Sequence, residues 1–268
     1  METVKDLSAI LPGTLQQGDY VALTFFLTTI AMSAGAIFFF FQFMIAPMKQ
    51  KNSILVMGMI LTIAALNYIY MRDFWVSQQV SPTEFRYFDW LLTVPLICLE
   101  FYLLLRPFGV KKSKLYRMIA YALWMLVWGY IGEAVDRENS IVYGLISTIG
   151  AIGAIYEIGM GIPLVLNQPN KNLRRGYITL FAILLVGWNV YPFAYMSIPG
   201  NLMDDIWSPE ALDITYNLGD IFNKIVFSIV LFLSIIFPSR EYQEKVYGYK
   251  EETLLENQEE IGEPMIHA

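Results

Sequence analysis

Charge, cysteine and histidine are all scarce in this chain. Of its 268 residues only 16% are Asp, Glu, Lys or Arg, against 56% hydrophobic. A soluble fold of this length needs far more charge to cover its surface. Cys98 is the sole cysteine, which excludes an intramolecular disulfide and a cysteine-cluster metal site. The sole histidine, His267, stands beside the C-terminus. That argues against a histidine metal centre or a histidine-based catalytic triad. No hydrolytic or redox constellation is visible, so the expectation is a non-enzyme. No basic patch is present, so nucleic acid is not an expected partner. The short alternating segments of a membrane β-barrel are missing as well.

Long apolar runs take the place of that charge. They cover residues 21–47, 53–75, 84–105, 115–134, 141–166, 177–198 and 212–237. Each holds about 20 residues or more, enough for a helix to cross a hydrocarbon core of roughly 30 Å. The expected fold is therefore all-α: a seven-transmembrane helix bundle, multi-pass in the bilayer of a plasma or other energy-coupling membrane. The N-terminal stretch lacks the basic-then-apolar order of a secretory signal, so the first run is expected to remain as a span. The 18 Phe and 17 Tyr suit interfacial belts or an aromatic pocket.

Loop charge predicts the orientation. Lys49 and Lys51 follow the first run, Arg106, Lys111, Lys112, Lys114 and Arg117 the third, and Lys171, Arg174 and Arg175 the fifth. The alternate loops carry Asp73 and Glu84, then Glu133, Asp136, Arg137 and Glu138, then Asp204, Asp205, Glu210 and Asp213. The positive-inside rule puts the N-terminus outside and the C-terminus in the cytoplasm. Residues 1–19 then form an extracellular segment, 20–238 the membrane domain and 239–268 a cytoplasmic tail. From Arg240 onward that tail has eight glutamates against three basic residues, which accounts for most of the net charge of −6.

Charges inside the runs need partners, because one at mid-bilayer costs roughly 2.5–3.5 kcal/mol on insertion scales. In the seventh run Asp220 and Lys224 are four residues apart and share one helix face. In the third, Arg86, Asp89, Thr93 and Glu100 fall on one stripe, with Glu100 about 16 Å along the helix from Asp89. Pro95 between them is expected to bend the helix and free a carbonyl. With Lys224 at mid-depth, two carboxylates and an arginine lie on its outer side and one carboxylate on its inner side. This is the layout of a proton relay with a switch at the lysine. A structural ion pair is the plainer alternative for Asp220 and Lys224.

The stretches "FRYFDWLLTVP" with Glu100 seven residues after Thr93, "GWNVYP" from Gly187 and "YNLGDIFNK" from Tyr216 resemble microbial rhodopsins, specifically the proteorhodopsins. The resemblance runs from about Gly18 to Phe237. It implies all-trans-retinal bound to Lys224 as a protonated Schiff base and a light-driven outward proton pump. Asp89 would be the proton acceptor, Asp220 a second counter-ion, Glu100 the cytoplasmic donor and Arg86 the gate to the release path. Trp90, Trp188 and Tyr191 would line the retinal, Pro192 would shape that helix at the chromophore, and Ile97 holds the family's spectral-tuning position, where an apolar residue suggests green absorption. A homo-oligomer is expected on the same grounds. The competing readings are a photosensor signalling through a partner and a light-gated channel.

One departure stands out. The family's histidine on the second span, partner of the acceptor aspartate, is replaced by Asn67, which can hydrogen-bond a carboxylate without titrating. Cys98 reads as packing, Glu133 and Glu157 as structural hydrogen-bonding groups near span ends, and Phe38–Phe41 as lipid or helix packing.

Overall fold

The computed structural model describes residues 18–204 and 206–236. Most of the N-terminal segment, Asp205 and the acidic tail with His267 lie outside the described residues. Seven helices have the length and apolarity of membrane spans: α1 Tyr20–Ile45, α2 Met48–Gln78, α3 Thr83–Phe108, α4 Lys112–Val135, α5 Arg137–Leu166, α6 Lys171–Met196 and α7 Pro209–Ile236. Each coincides with one expected apolar run, and no strand occurs among the described residues.

The helix ends differ from the ends of the apolar runs because polar caps set them. The Asp19 carboxylate accepts the Ala22 amide at 2.9 Å and starts α1, while also accepting Trp75 Nε1 at 3.2 Å from the far end of α2. Asn170 accepts the amides of Asn172 and Leu173, so α6 begins at Lys171, before its apolar run. Ser208 caps α7 through the Ala211 amide, with Pro209 in the first helical position. In the α4–α5 turn, Asn139 and Tyr143 donate to Asp136, and the Asn139 contact leads in holding that carboxyl below the usual range.

Successive helices pack against one another, and α7 returns to α1, closing a ring. The large side chains Phe25, Phe101, Tyr177 and Leu61 are buried inside it. Large apolar side chains also cover the outside, among them Phe41, Ile45, Leu145 and Val186. A single polypeptide apolar on both faces belongs in lipid, and the protein is a multi-pass membrane protein. Within the phenylalanine run, Phe39 is buried and Phe41 exposed, while Phe38 and Phe39 meet Phe232 of α7 at 5.4 and 5.6 Å between ring centres. Cys98 is buried in the core.

Three local irregularities shape the interior. Pro95 and Pro192 sit inside α3 and α6, where each removes a backbone donor. In α7 the backbone widens to π-type winding over Ile221–Val226, immediately after Asp220 and around Lys224. Such turns recur at functional positions. On the side of the basic loops, Arg117 grips Glu157 through Nε at 2.5 Å and Nη2 at 3.1 Å, tying α4 to α5. Near the end of α4, Glu133 makes a hydrogen bond of the expected structural kind: it is buried, accepts the Tyr87 hydroxyl at 2.9 Å and also borders a cavity.

Candidate functional site

Asp213, Asn217, Asp220 and Lys224 follow one another at steps of four, three and four residues, one stripe of α7. All are buried, as are Arg86, Asp89, Thr93 and Glu100 on α3. The two stripes meet at Lys224. Its Nζ bonds Asp89 Oδ2 directly and reaches Asp220 Oδ2 at 2.6 Å. The two carboxylates are otherwise unlike. Asp220 also accepts the Tyr68 hydroxyl at 3.0 Å, Trp90 Nε1 at 3.0 Å and the Tyr191 hydroxyl at 2.7 Å. Asp89 Oδ1 has no hydrogen-bond partner among the described residues. Thr93 does not supply one, since its hydroxyl donates to the Asp89 backbone carbonyl at 2.9 Å.

One turn before Asp89 on α3, the Arg86 guanidinium turns toward α7. Its Nη2 lies 2.7 Å from Asp213 and Nη1 3.2 Å from the Asn217 side-chain Oδ1, and its guanidinium carbon stands 4.7 Å from the centre of the Tyr216 ring. In the opposite direction along α3, Glu100 is fully buried, and neither carboxyl oxygen is in a formed hydrogen bond among the described residues. The Ser53 hydroxyl of α2 is a polar group near it.

Beside Lys224 opens a cavity of about 220 Å³ bounded by α3, α4, α5, α6 and α7. Trp90, Ile97, Trp188, Tyr191, Pro192 and Lys224, the residues that the sequence resemblance assigns to cofactor binding, all border it. Met125, Gly129 and Glu133 of α4, Gly144 of α5 and Asn223 of α7 are also among its lining residues.

Residues 19–237 match the model of the bacteriorhodopsin-like protein family. The green-light absorbing proteorhodopsin of Gamma-proteobacterium EBAC31A08 is 37% identical over 221 residues, 82% of this chain and 88% of that protein. The blue-light absorbing proteorhodopsin of Gamma-proteobacterium Hot 75m4 is 36% identical, covering 82% and 87%. Among solved structures, the blue light-absorbing proteorhodopsin from Med12 superposes with a TM-score of 0.69 at 33% identity, over 81% of this chain and 98% of that one. This chain belongs to the bacteriorhodopsin-like family.

Members of this rhodopsin family are light-driven transporters rather than enzymes, and they use retinal as chromophore. The cavity suits such a group. Its wall is mainly apolar and aromatic, as a polyene requires, and its one lysine is the buried amine that an aldehyde needs for covalent attachment.

Two expectations from the sequence change. Asp213, grouped there with the external loop acids, is a fully buried partner of Arg86 and also accepts the Ser81 hydroxyl at 2.9 Å. Its spacing of seven residues from Asp220, two helical turns, was the available signal. Asn67 does not bond Asp89: its Nδ2 donates to the Ile63 carbonyl at 2.9 Å, one turn back on α2. The donor from α2 is instead the next residue, Tyr68, and it goes to Asp220. Nothing in the local pattern of α2 marks Tyr68 in advance, because its role depends on how α2 is rotated against α7.

Proposed function

We propose that this rhodopsin is a light-driven outward proton pump in which Lys224 carries all-trans-retinal, Asp89 accepts the proton and Glu100 donates its replacement. The observation that carries this reading is the contrast at Lys224 Nζ: two carboxylates touch it, one saturated with donors and one with an open oxygen. Retinal supplies light absorption and a light-driven change of shape at the lysine nitrogen.

The chain's own residues do the rest. Asp220, held by Tyr68, Trp90 and Tyr191, stays a carboxylate and balances the buried cation, since donors to the charged form favour it. Asp89 Oδ1 has room for a proton leaving the Lys224 nitrogen. Arg86, engaged with Asp213 and Asn217, closes the outer side and provides the positive charge past which that proton is released. Glu100, buried on α3, keeps its proton until the nitrogen needs it back. Positive-inside loop charge puts Glu100 on the cytoplasmic side, which makes transport outward.

Replacing Lys224 with Ala tests the core of this reading. Cells expressing Lys224→Ala with added retinal should hold a colourless protein and show no light-induced pH change. A coloured variant that still moves protons would contradict the assignment.

A further inference from the structure

Gly187 on α6 and Asn223 on α7 come closer than any side chain at 187 would allow. A Cβ placed on Gly187 would lie 2.0 Å from Asn223 Oδ1 and 2.8 Å from its Nδ2. Contacts under about 3 Å do not occur for real Cβ atoms, so the glycine is what lets the amide sit there. Asn223 is buried on the cavity wall next to Lys224. From that seat its Nδ2 donates to the Tyr191 hydroxyl oxygen at 3.1 Å. The same hydroxyl donates onward to Asp220 Oδ1 at 2.7 Å.

We propose that Asn223, seated by Gly187, is a positioning residue that decides which of the two aspartates takes the proton. An amide donor occupying the Tyr191 oxygen leaves the tyrosine proton one direction, toward Asp220. A donor–donor chain of this kind also polarises the second hydrogen bond and strengthens it. Asp220 is thereby kept as a permanent anion. When the N–H bond at Lys224 breaks, the O–H bond forms at Asp89 Oδ1 alone. Without the amide, Tyr191 is free to turn, Asp220 loses a donor, and its oxygen competes for the same proton.

The inference rests on the reading of Asp89 as acceptor. Its test is the light-minus-dark infrared spectrum of the retinal-loaded protein, in the region of protonated aspartate carboxyl stretches. Wild type should show one positive band, lost in Asp89→Asn. Asn223→Ala should show two, the second vanishing when Asp220→Asn is added. Gly187→Ala, which displaces the amide without removing it, should give the same second band. In a Tyr191→Phe background, Asn223→Ala should add nothing, because the asparagine acts through that hydroxyl. If Asn223→Ala forms pigment and keeps the single wild-type band, the positioning role is overturned while the acceptor role stands. If Asp89→Asn keeps the wild-type band, the acceptor assignment itself falls, and this inference with it.

Discussion

Asp89 and Asp220 touch the same lysine nitrogen, yet three further donors reach Asp220 and none reaches Asp89 Oδ1. Roles at the residue scale follow from such differences in satisfaction more than from residue type. Glu100 extends the same logic, as a buried carboxyl with neither oxygen bonded. Glu100→Gln should therefore slow reprotonation of the Lys224 nitrogen by about a hundredfold or more in flash photolysis, a loss in the range expected for one positioned proton carrier. Added azide should restore much of the rate, and an unchanged decay would remove Glu100 from the path. Ile97 places an apolar side chain on the cavity wall. Ile97→Gln puts an amide dipole there and should move the absorption band to the blue from a green-range wild type. Relatives of both colours are almost equally similar overall, at 37% and 36% identity, so this single position is the sharper test. Asn67 bonds its own helix through Ile63. Asn67→Leu should accordingly leave the pH titration of the dark absorption band unmoved, whereas a displaced midpoint would mean that its amide reaches Asp89 after all.

At the scale of elements, Arg86 and Asp213 join α3 to α7 by a buried ion pair at 2.7 Å, each about 1% exposed. Breaking such a pair from one side leaves an uncompensated charge and costs about 3–5 kcal/mol. Asp213→Ala should thus lower the temperature of thermal bleaching by many degrees, while Asp213→Asn, which still accepts a hydrogen bond, should lose less. Equal stability of Asp213→Ala and wild type would show that Arg86 finds another partner. The seven helices were readable from apolar runs because lipid makes length and apolarity the governing constraints. Their ends were not, since Asp19, Asn170 and Ser208 act through backbone contacts that hydropathy does not register. The stripes of α3 and α7 were readable from spacing, as each lies within one helix. Tyr68, Asn223 and the Arg86–Asp213 pair needed the rotation of one helix against another, which no single helix encodes. The π-type winding around Lys224 left no sequence mark that periodicity could detect.

For the whole molecule, a ring of seven helices with an apolar exterior isolates one interior line of ionisable groups from Arg86 and Asp213, through Asp89, Asp220 and Lys224, to Glu100. In the proposed pump a proton moving along that line crosses the membrane, and the three basic loops give the line its direction, with Glu100 toward the cytoplasm. Both claims meet in one measurement: the pH of an unbuffered suspension of cells expressing the protein with retinal, recorded through cycles of light and dark. The proposed pump predicts acidification of the medium in light, reversal in the dark, and loss of the signal when a protonophore is added. Light-driven alkalinisation that grows with the protonophore would instead mean transport of another ion with passive proton entry, and would contradict the proposal.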